Sequence, residues 1–65
     1  VPPEDPALAM ALEQLPERLR LPLVLHYAEG MSYAEIADAL RLPQSTVRSR
    51  LHNAREQLRK ELEAE

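Results

Sequence analysis

The stretch Ser32-Tyr33-Ala34-Glu35-Ile36-Ala37-Asp38-Ala39-Leu40-Arg41-Leu42-Pro43-Gln44-Ser45-Thr46-Val47-Arg48-Ser49-Arg50-Leu51 decides the fold. Ser32 with Glu35 three residues on is a capping box, so a helix begins there. Ile36, Ala37 and Leu40 recur at helical spacing and form the inward stripe of a two-turn helix over 33–40. Arg41-Leu42-Pro43 breaks it, because the residue before a proline is pushed out of the α region. A longer helix follows over 44–63, in which Val47, Leu51, Ala54, Leu58 and Leu62 make one apolar seam. Short helix, three-residue turn and long helix together have the form of a helix-turn-helix. The same spacing also fits a plain helical hairpin whose turn only joins two packing helices.

Toward the N-terminus, Val1 to Pro6 holds three prolines and no apolar period, and reads as a linker end. The sequence begins without a Met, which leads us to expect a fragment of a longer protein, and its first residues lack a signal-peptide pattern. Leu8, Leu12 and Leu15 predict a first short helix over 7–15, stopped by Pro16. Pro16 suits the first turn of a second helix over 17–29. There the apolar residues Leu19, Leu21, Leu23, Val24, Leu25, Tyr27 and Ala28 cover most of the circumference, which predicts a central, largely buried helix. Pro22 is awkward inside it, since its ring removes the bond to the Arg18 carbonyl. Gly30 is expected to close the helix in a left-handed conformation. The expected fold is all-α: four helices without a wing, a single domain over 7–65, and a helix-turn-helix over about 33–53.

Composition narrows the function. At 65 residues the chain is one domain at most, and with no Cys it has neither a disulfide framework nor a thiolate metal site. The longest uncharged apolar stretch, 21–28, is far short of a membrane span, so no membrane role is expected. His26 and His52 lie far apart with no carboxylates at ligand spacing, and no cofactor or small-molecule ligand is expected. His26 reads as a packed or capping histidine. No serine sits in a His-acid arrangement and no phosphate loop is present, so we expect no catalysis.

The charge is unevenly spread. Residues 1–40 carry two Arg against seven Asp or Glu, whereas 41–60 carry five Arg and Lys60 against Glu56 alone. A basic segment on an acidic body is the footprint of one element that meets phosphates, although a solvated helix face would look the same. At about 100° per residue, Val47, Leu51, Ala54 and Leu58 fall within roughly 60° of one another. Ser45, Arg48, Ser49, His52 and Asn53 then point away from the core, and all of them can hydrogen-bond a base edge or a phosphate. Arg48 can bridge guanine O6 and N7, and Asn53 can pair with adenine N6 and N7. Thr46, Arg50 and Arg55 lie on the flanks, where phosphate contacts are natural, and the N–H groups at Gln44 and Ser45 face an anion. The candidate base contacts are therefore Arg48, Ser49, His52 and Asn53. The candidate backbone contacts are Gln44, Ser45, Thr46, Arg50 and Arg55.

Three segments carry a resemblance. They are Leu15-Pro16-Glu17-Arg18, then Tyr27-Ala28-Glu29-Gly30-Met31-Ser32-Tyr33-Ala34-Glu35-Ile36-Ala37, then Thr46-Val47-Arg48-Ser49-Arg50-Leu51 with Ala54-Arg55. Together they resemble region 4 of bacterial sigma factors of the extracytoplasmic-function type in the sigma-70 superfamily, over nearly the whole chain. The resemblance implies a domain that binds the double-stranded promoter −35 element through its last helix. It also implies docking on the β flap of the RNA polymerase core, in a cytoplasmic, bacterial setting, with an anti-sigma factor as a further partner. Arg48, Ser49, His52 and Asn53 match the base-reading positions of the family. The sequence departs from the pattern at three places: Arg41 stands where many members have Gly, Ser45 replaces a frequent Gly, and Asn53 replaces a frequent Arg. A left-handed conformation is therefore expected at the non-glycine Arg41.

Two other readings remain open. One is the LuxR-type effector domain of response regulators, which shares the Glu35-Ile36-Ala37 and Thr46-Val47 framework. It usually continues with a His and an Ile-x-x-Lys-Leu pattern, unlike Ser49-Arg50-Leu51 here. The other is an interaction module bound chiefly by an anti-sigma factor or the polymerase flap.

Overall fold

The computed structural model describes residues 6–63, and the expected linker residues 1–5 and the final Glu65 lie outside that range. Four helices follow one another: α1 (Pro6–Gln14), α2 (Glu17–Tyr27), α3 (Tyr33–Leu40) and α4 (Gln44–Glu63). No strand is present among the described residues.

The bounds of α3 and α4 match expectation because both ends of α3 are chemically specified. The Glu35 amide donates to Ser32 Oγ at 3.1 Å, and the Ser32 amide donates to Glu35 Oε1 at 2.8 Å, completing the capping box. At the other end Arg41 sits in the left-handed region with φ 58° and ψ 49°. There its N–H donates to the Asp38 carbonyl at 3.3 Å and that of Leu42 to the Ala37 carbonyl at 2.9 Å. This is the Schellman pattern, here built on an arginine rather than a glycine.

The N-terminal half differs from expectation. Pro6 is the first residue of α1, not the end of a linker, which fits proline's preference for a position whose N–H has no helical partner. Leu15 lies beyond α1, yet it is buried. Pro16 caps α2 from outside with φ −57° and ψ 148°, and its carbonyl accepts from the Leu19 and Arg20 amides, both at 2.9 Å. α2 stops at Tyr27, two residues earlier than expected. The chain unwinds through Ala28 and Glu29, and Gly30, at φ +70°, turns it so that the Met31 N–H reaches the Leu25 carbonyl at 3.1 Å. The Nδ1 of His26 donates to the Met31 carbonyl at 2.8 Å, a capping role in line with the sequence.

Pro22 is tolerated inside α2 because its ring is put to use. It is among the most completely buried side chains, while the Arg18 carbonyl that it leaves without a bond belongs to an exposed residue. The core gathers Leu15, Leu19 and Leu23 with Ile36 and Ala37 of α3 and Val47, Leu51 and Ala54 of α4. α2 is not largely buried: Leu21, Val24, Tyr27 and Ala28 are exposed. Four short helices cannot enclose a fifth side, so α2 covers the core with one face only. The α4 seam likewise ends at Leu58, which is partly buried, while Leu62 is exposed.

Leu51 has no solvent exposure, so Leu51→Ala is expected to cost about 2–5 kcal/mol in chemical denaturation. Ser32→Ala removes the cap and should cost about 1 kcal/mol. The Ser32 amide and then its hydroxyl hold the Glu35 carboxyl below its ordinary value. A carboxylate with a lowered folded-state pKa stabilises above its unfolded value, and this contribution fades as pH falls through the folded one. Acid melts should therefore show a loss in the wild type that is absent from Glu35→Gln. Arg41→Gly removes a left-handed non-glycine residue and should raise stability by up to about 1 kcal/mol, read as a higher Tm.

Candidate nucleic-acid interface

α4 is 20 residues long, which at 1.5 Å per residue makes it about 30 Å, comparable to the 35 Å long axis of the molecule. It packs against the other three helices through Val47, Leu51 and Ala54. That single seam fixes the rotation of α4 about its own axis, and so fixes what it shows to solvent. Arg48, Ser49, His52 and Asn53 are all exposed, as are Gln44 and Ser45, while Thr46 and Arg50 are half-buried on the flank. None of the side-chain hydrogen bonds or ion pairs among the described residues involves Arg48, Ser49, His52 or Asn53. The fold thus gathers these side chains on the first three turns and leaves their donors and acceptors to solvent or a ligand.

The N-terminus of α4 is built for the same purpose. The Thr46 and Val47 amides turn back to the Pro43 carbonyl at 3.0 and 3.2 Å. The earlier N–H groups at Gln44 and Ser45 have no carbonyl within the helix to meet, and point outward from its positive end.

Arg55 is placed differently from its flanking companions. Its Nε donates to the Tyr27 hydroxyl at 2.9 Å and its Nη2 to the Tyr33 hydroxyl at 3.2 Å. The guanidinium also lies over the Tyr27 ring, 5.5 Å from its centre. The Tyr33 and Tyr27 hydroxyls together raise its pKa above the ordinary arginine value, in that order of effect. His26 packs edge-on to both rings, 4.8 Å from Tyr27 and 5.1 Å from Tyr33. One cation therefore ties the end of α2, the start of α3 and the middle of α4 together. The sequence alone shows Arg55 at a flank; the two tyrosines that engage it lie 28 and 22 residues away and carry no local signal.

Arg59 is also engaged. It pairs with Glu56 at 2.8 Å and Glu63 at 3.2 Å along α4. The Arg59 guanidinium holds the Glu56 carboxyl below its ordinary range. Of the basic residues in 41–60, only Arg59 is in an ion pair among the described residues, and with Arg55 held by the tyrosines this leaves Arg41, Arg48, Arg50 and Lys60. The flank that carries Arg50 and Asn53 opens onto a cleft shared with Arg18 of α2, a residue the sequence reading does not single out.

Along the C-terminal half of α4 runs a second feature, an open apolar groove of about 700 Å³ lined by Leu8, Leu12, Val24, Tyr27, Leu58 and Leu62 among others. Tyr27, 55% exposed, stands at its edge. No described helix is long and apolar enough to cross a membrane, and no cluster of His, Cys, Asp or Glu among the described residues could hold a metal ion.

Comparison with known proteins gives a consistent result. The family described as "Sigma-70, region 4" matches residues 6–58. The RNA polymerase sigma-H factor of Pseudomonas aeruginosa is 48% identical over 52 residues, covering 80% of this chain and 27% of that protein. The ECF RNA polymerase sigma factor SigW of Bacillus subtilis is 37% identical over 68 residues, covering 92% of this chain and 36% of that protein. The ECF RNA polymerase sigma-E factor of Escherichia coli is 49% identical over 45 residues, covering 69% of this chain and 24% of that protein. The chain thus spans about a quarter to a third of the length of these relatives. Nothing in these comparisons favours the response-regulator reading.

If Arg55 holds the helices together, Arg55→Met should destabilise the chain by about 1 kcal/mol or more, through two lost charge-assisted bonds. Tyr33→Phe, which removes one acceptor, should cost about half as much. Thermal melts of the three proteins side by side test this order.

Proposed function

Because the chain belongs to the sigma-70 region 4 family, we propose that it is the domain through which an extracytoplasmic-function sigma factor reads the promoter −35 element. α4 enters the major groove with its first three turns. Arg48, Ser49, His52 and Asn53 meet base edges, with the Arg48 fork suited to guanine and the Asn53 amide to adenine. Gln44 and Ser45 offer backbone N–H groups to a phosphate, Thr46 and Arg50 add side-chain contacts, and Arg55 reaches the backbone with its Nε and Nη2 already engaged by the tyrosines. The role is non-enzymatic and belongs to the bacterial cytoplasm.

One observation carries the reading. Arg48, Ser49, His52 and Asn53, on the first three turns of α4, are exposed and take part in no side-chain hydrogen bond or ion pair among the described residues, on the side of the helix away from a seam that is completely buried. A face of that kind on a solvated helix would be expected to pair its charges along the helix, as Arg59 does with Glu56 and Glu63.

The apolar groove favours a protein partner in addition. It lies beyond the first three turns of α4, with Arg55 on the border between the two surfaces, so both can be engaged at once. We assign it to the β flap of RNA polymerase, with an anti-sigma factor as competitor for the same apolar surface. Docking on polymerase supplies a high effective concentration to a small domain whose own DNA contacts are few.

A random-duplex selection with the chain tethered to RNA polymerase tests the reading. A short motif should enrich. Arg48→Ala and His52→Ala should each relax preference at one position, at a cost of about 1–3 kcal/mol against the selected base. Enrichment of no motif, with both variants behaving as wild type, would overturn it.

A further inference from the structure

The two flanks of the α4 face are unlike each other. On one flank two guanidinium nitrogens of Arg55 are held by Tyr27 at the end of α2 and Tyr33 at the start of α3. On the other, an open cleft of about 480 Å³ between α4 and the start of α2 is lined by Arg18, Arg50, Asn53, Glu56 and Lys60 among others. On the helical wheel at about 100° per residue, Asn53 and Lys60 fall within roughly 40° of Ser49, and Arg50 lies farther round the same side. The cleft is thus continuous with the face already described, and Arg18 is the contribution of a different helix.

Its charge is lopsided. Arg18, Arg50 and Lys60 take part in no ion pair among the described residues, and the only acid in the lining, Glu56, has its carboxylate bound by Arg59. Three cations converge on a concave site that holds one acid, Glu56, whose carboxylate is bound by Arg59 and attracted by Lys60, so positive charge is left in excess. Like charges held together in this way repel one another, and an anion supplied from outside relieves that repulsion. From Arg50 to Lys60 the cleft runs along α4 for about 15 Å, somewhat more than the roughly 12 Å width of the major groove. Cations at that distance from the first turns, and on a supporting helix, meet the groove's wall rather than its floor.

We propose that Arg18 and Lys60, with Arg50 and Asn53, seat backbone phosphates of the duplex strand beside the bases that α4 reads, extending DNA contact onto α2. This rests on the promoter-reading role above and goes beyond it, since it assigns Arg18 and Lys60 a phosphate contact and gives Asn53 a phosphate on one side as well as a base on the other. The contact carries no sequence information. It sets the angle at which α4 lies in the groove, because the phosphate is held from two helices rather than one.

The test titrates the tethered chain with the duplex obtained from selection, over about 50–200 mM salt, for wild type, Arg18→Ala, Lys60→Ala and the double variant. Arg20→Ala, an arginine of α2 outside the cleft, serves as control for net charge. Each cleft variant should make the slope of log K against log salt shallower by about 0.9, and the double variant by about twice that. The selected motif should stay the same, and Arg20→Ala should leave the slope unchanged. A neutral methylphosphonate at the flanking phosphate should weaken wild-type binding more than that of the double variant, in which only Arg50 and Asn53 are left to meet it.

Slopes equal to wild type for the cleft variants, or an equal change in Arg20→Ala, would overturn the phosphate seat. So would cleft variants that bind duplex normally but lose affinity for polymerase, which would make the cleft a protein contact. The failures are distinguishable: loss of the phosphate seat leaves the motif and its relaxation by Arg48→Ala intact, whereas failure of the promoter reading removes the motif itself.

Discussion

Everything in this small domain depends on the seam by which α4 enters the core. Val47, Leu51 and Ala54 have no solvent exposure, and through them one helix packs on the other three. With 65 residues and no cysteine to staple it, the chain has little other apolar material to hold together. A helix has only one stripe to give to such a core. The remainder of its circumference must be polar, and is then available for a ligand. Core and binding surface are thus two sides of the same 20 residues, and the rigidity of the first sets the precision of the second.

Two local devices keep α3 at a fixed angle to α4. The capping box starts α3 at Ser32, and the left-handed Arg41 stops it, with Leu42 folded back to the Ala37 carbonyl. A left-handed arginine is costlier than a glycine there, so the hydrogen bonds and the packing of Leu42 on the core must over-determine the turn. Arg55 adds a longer-range tie. By donating to Tyr27 and Tyr33 it joins the loop between α2 and α3 to the middle of α4, and His26 packs against both rings.

Charge is apportioned with the same economy. The basic stretch after residue 40 looks uniform along the chain, but folding divides it into three. Arg59 is absorbed by Glu56 and Glu63. Arg55 serves the tertiary structure, and what is left faces outward on the early turns of α4 and in the cleft beside α2. The outward charge is therefore smaller than the sequence balance suggests, and more localised. Past it, the apolar groove against α1 and α2 presents a different chemistry.

The sequence by itself determined α3, its turn and α4, because each carries a short-range instruction: a cap three residues from its acid, a break before Pro43, a seam at helical spacing. Those same periodicities give the exposed face with Arg48, Ser49, His52 and Asn53, since a side chain's direction on a helix follows from residue number alone. Only the tertiary structure decided the rest. The apolar residues of α2 outnumber the neighbours that could cover them, so burial there depended on where α1 and α4 lie. Arg55 and Arg18 look alike on paper, as surface arginines of a helical chain. One is fixed by tyrosines more than 20 residues away and the other opens a cleft against α4, because interactions between helices depend on crossing geometry that no local pattern encodes.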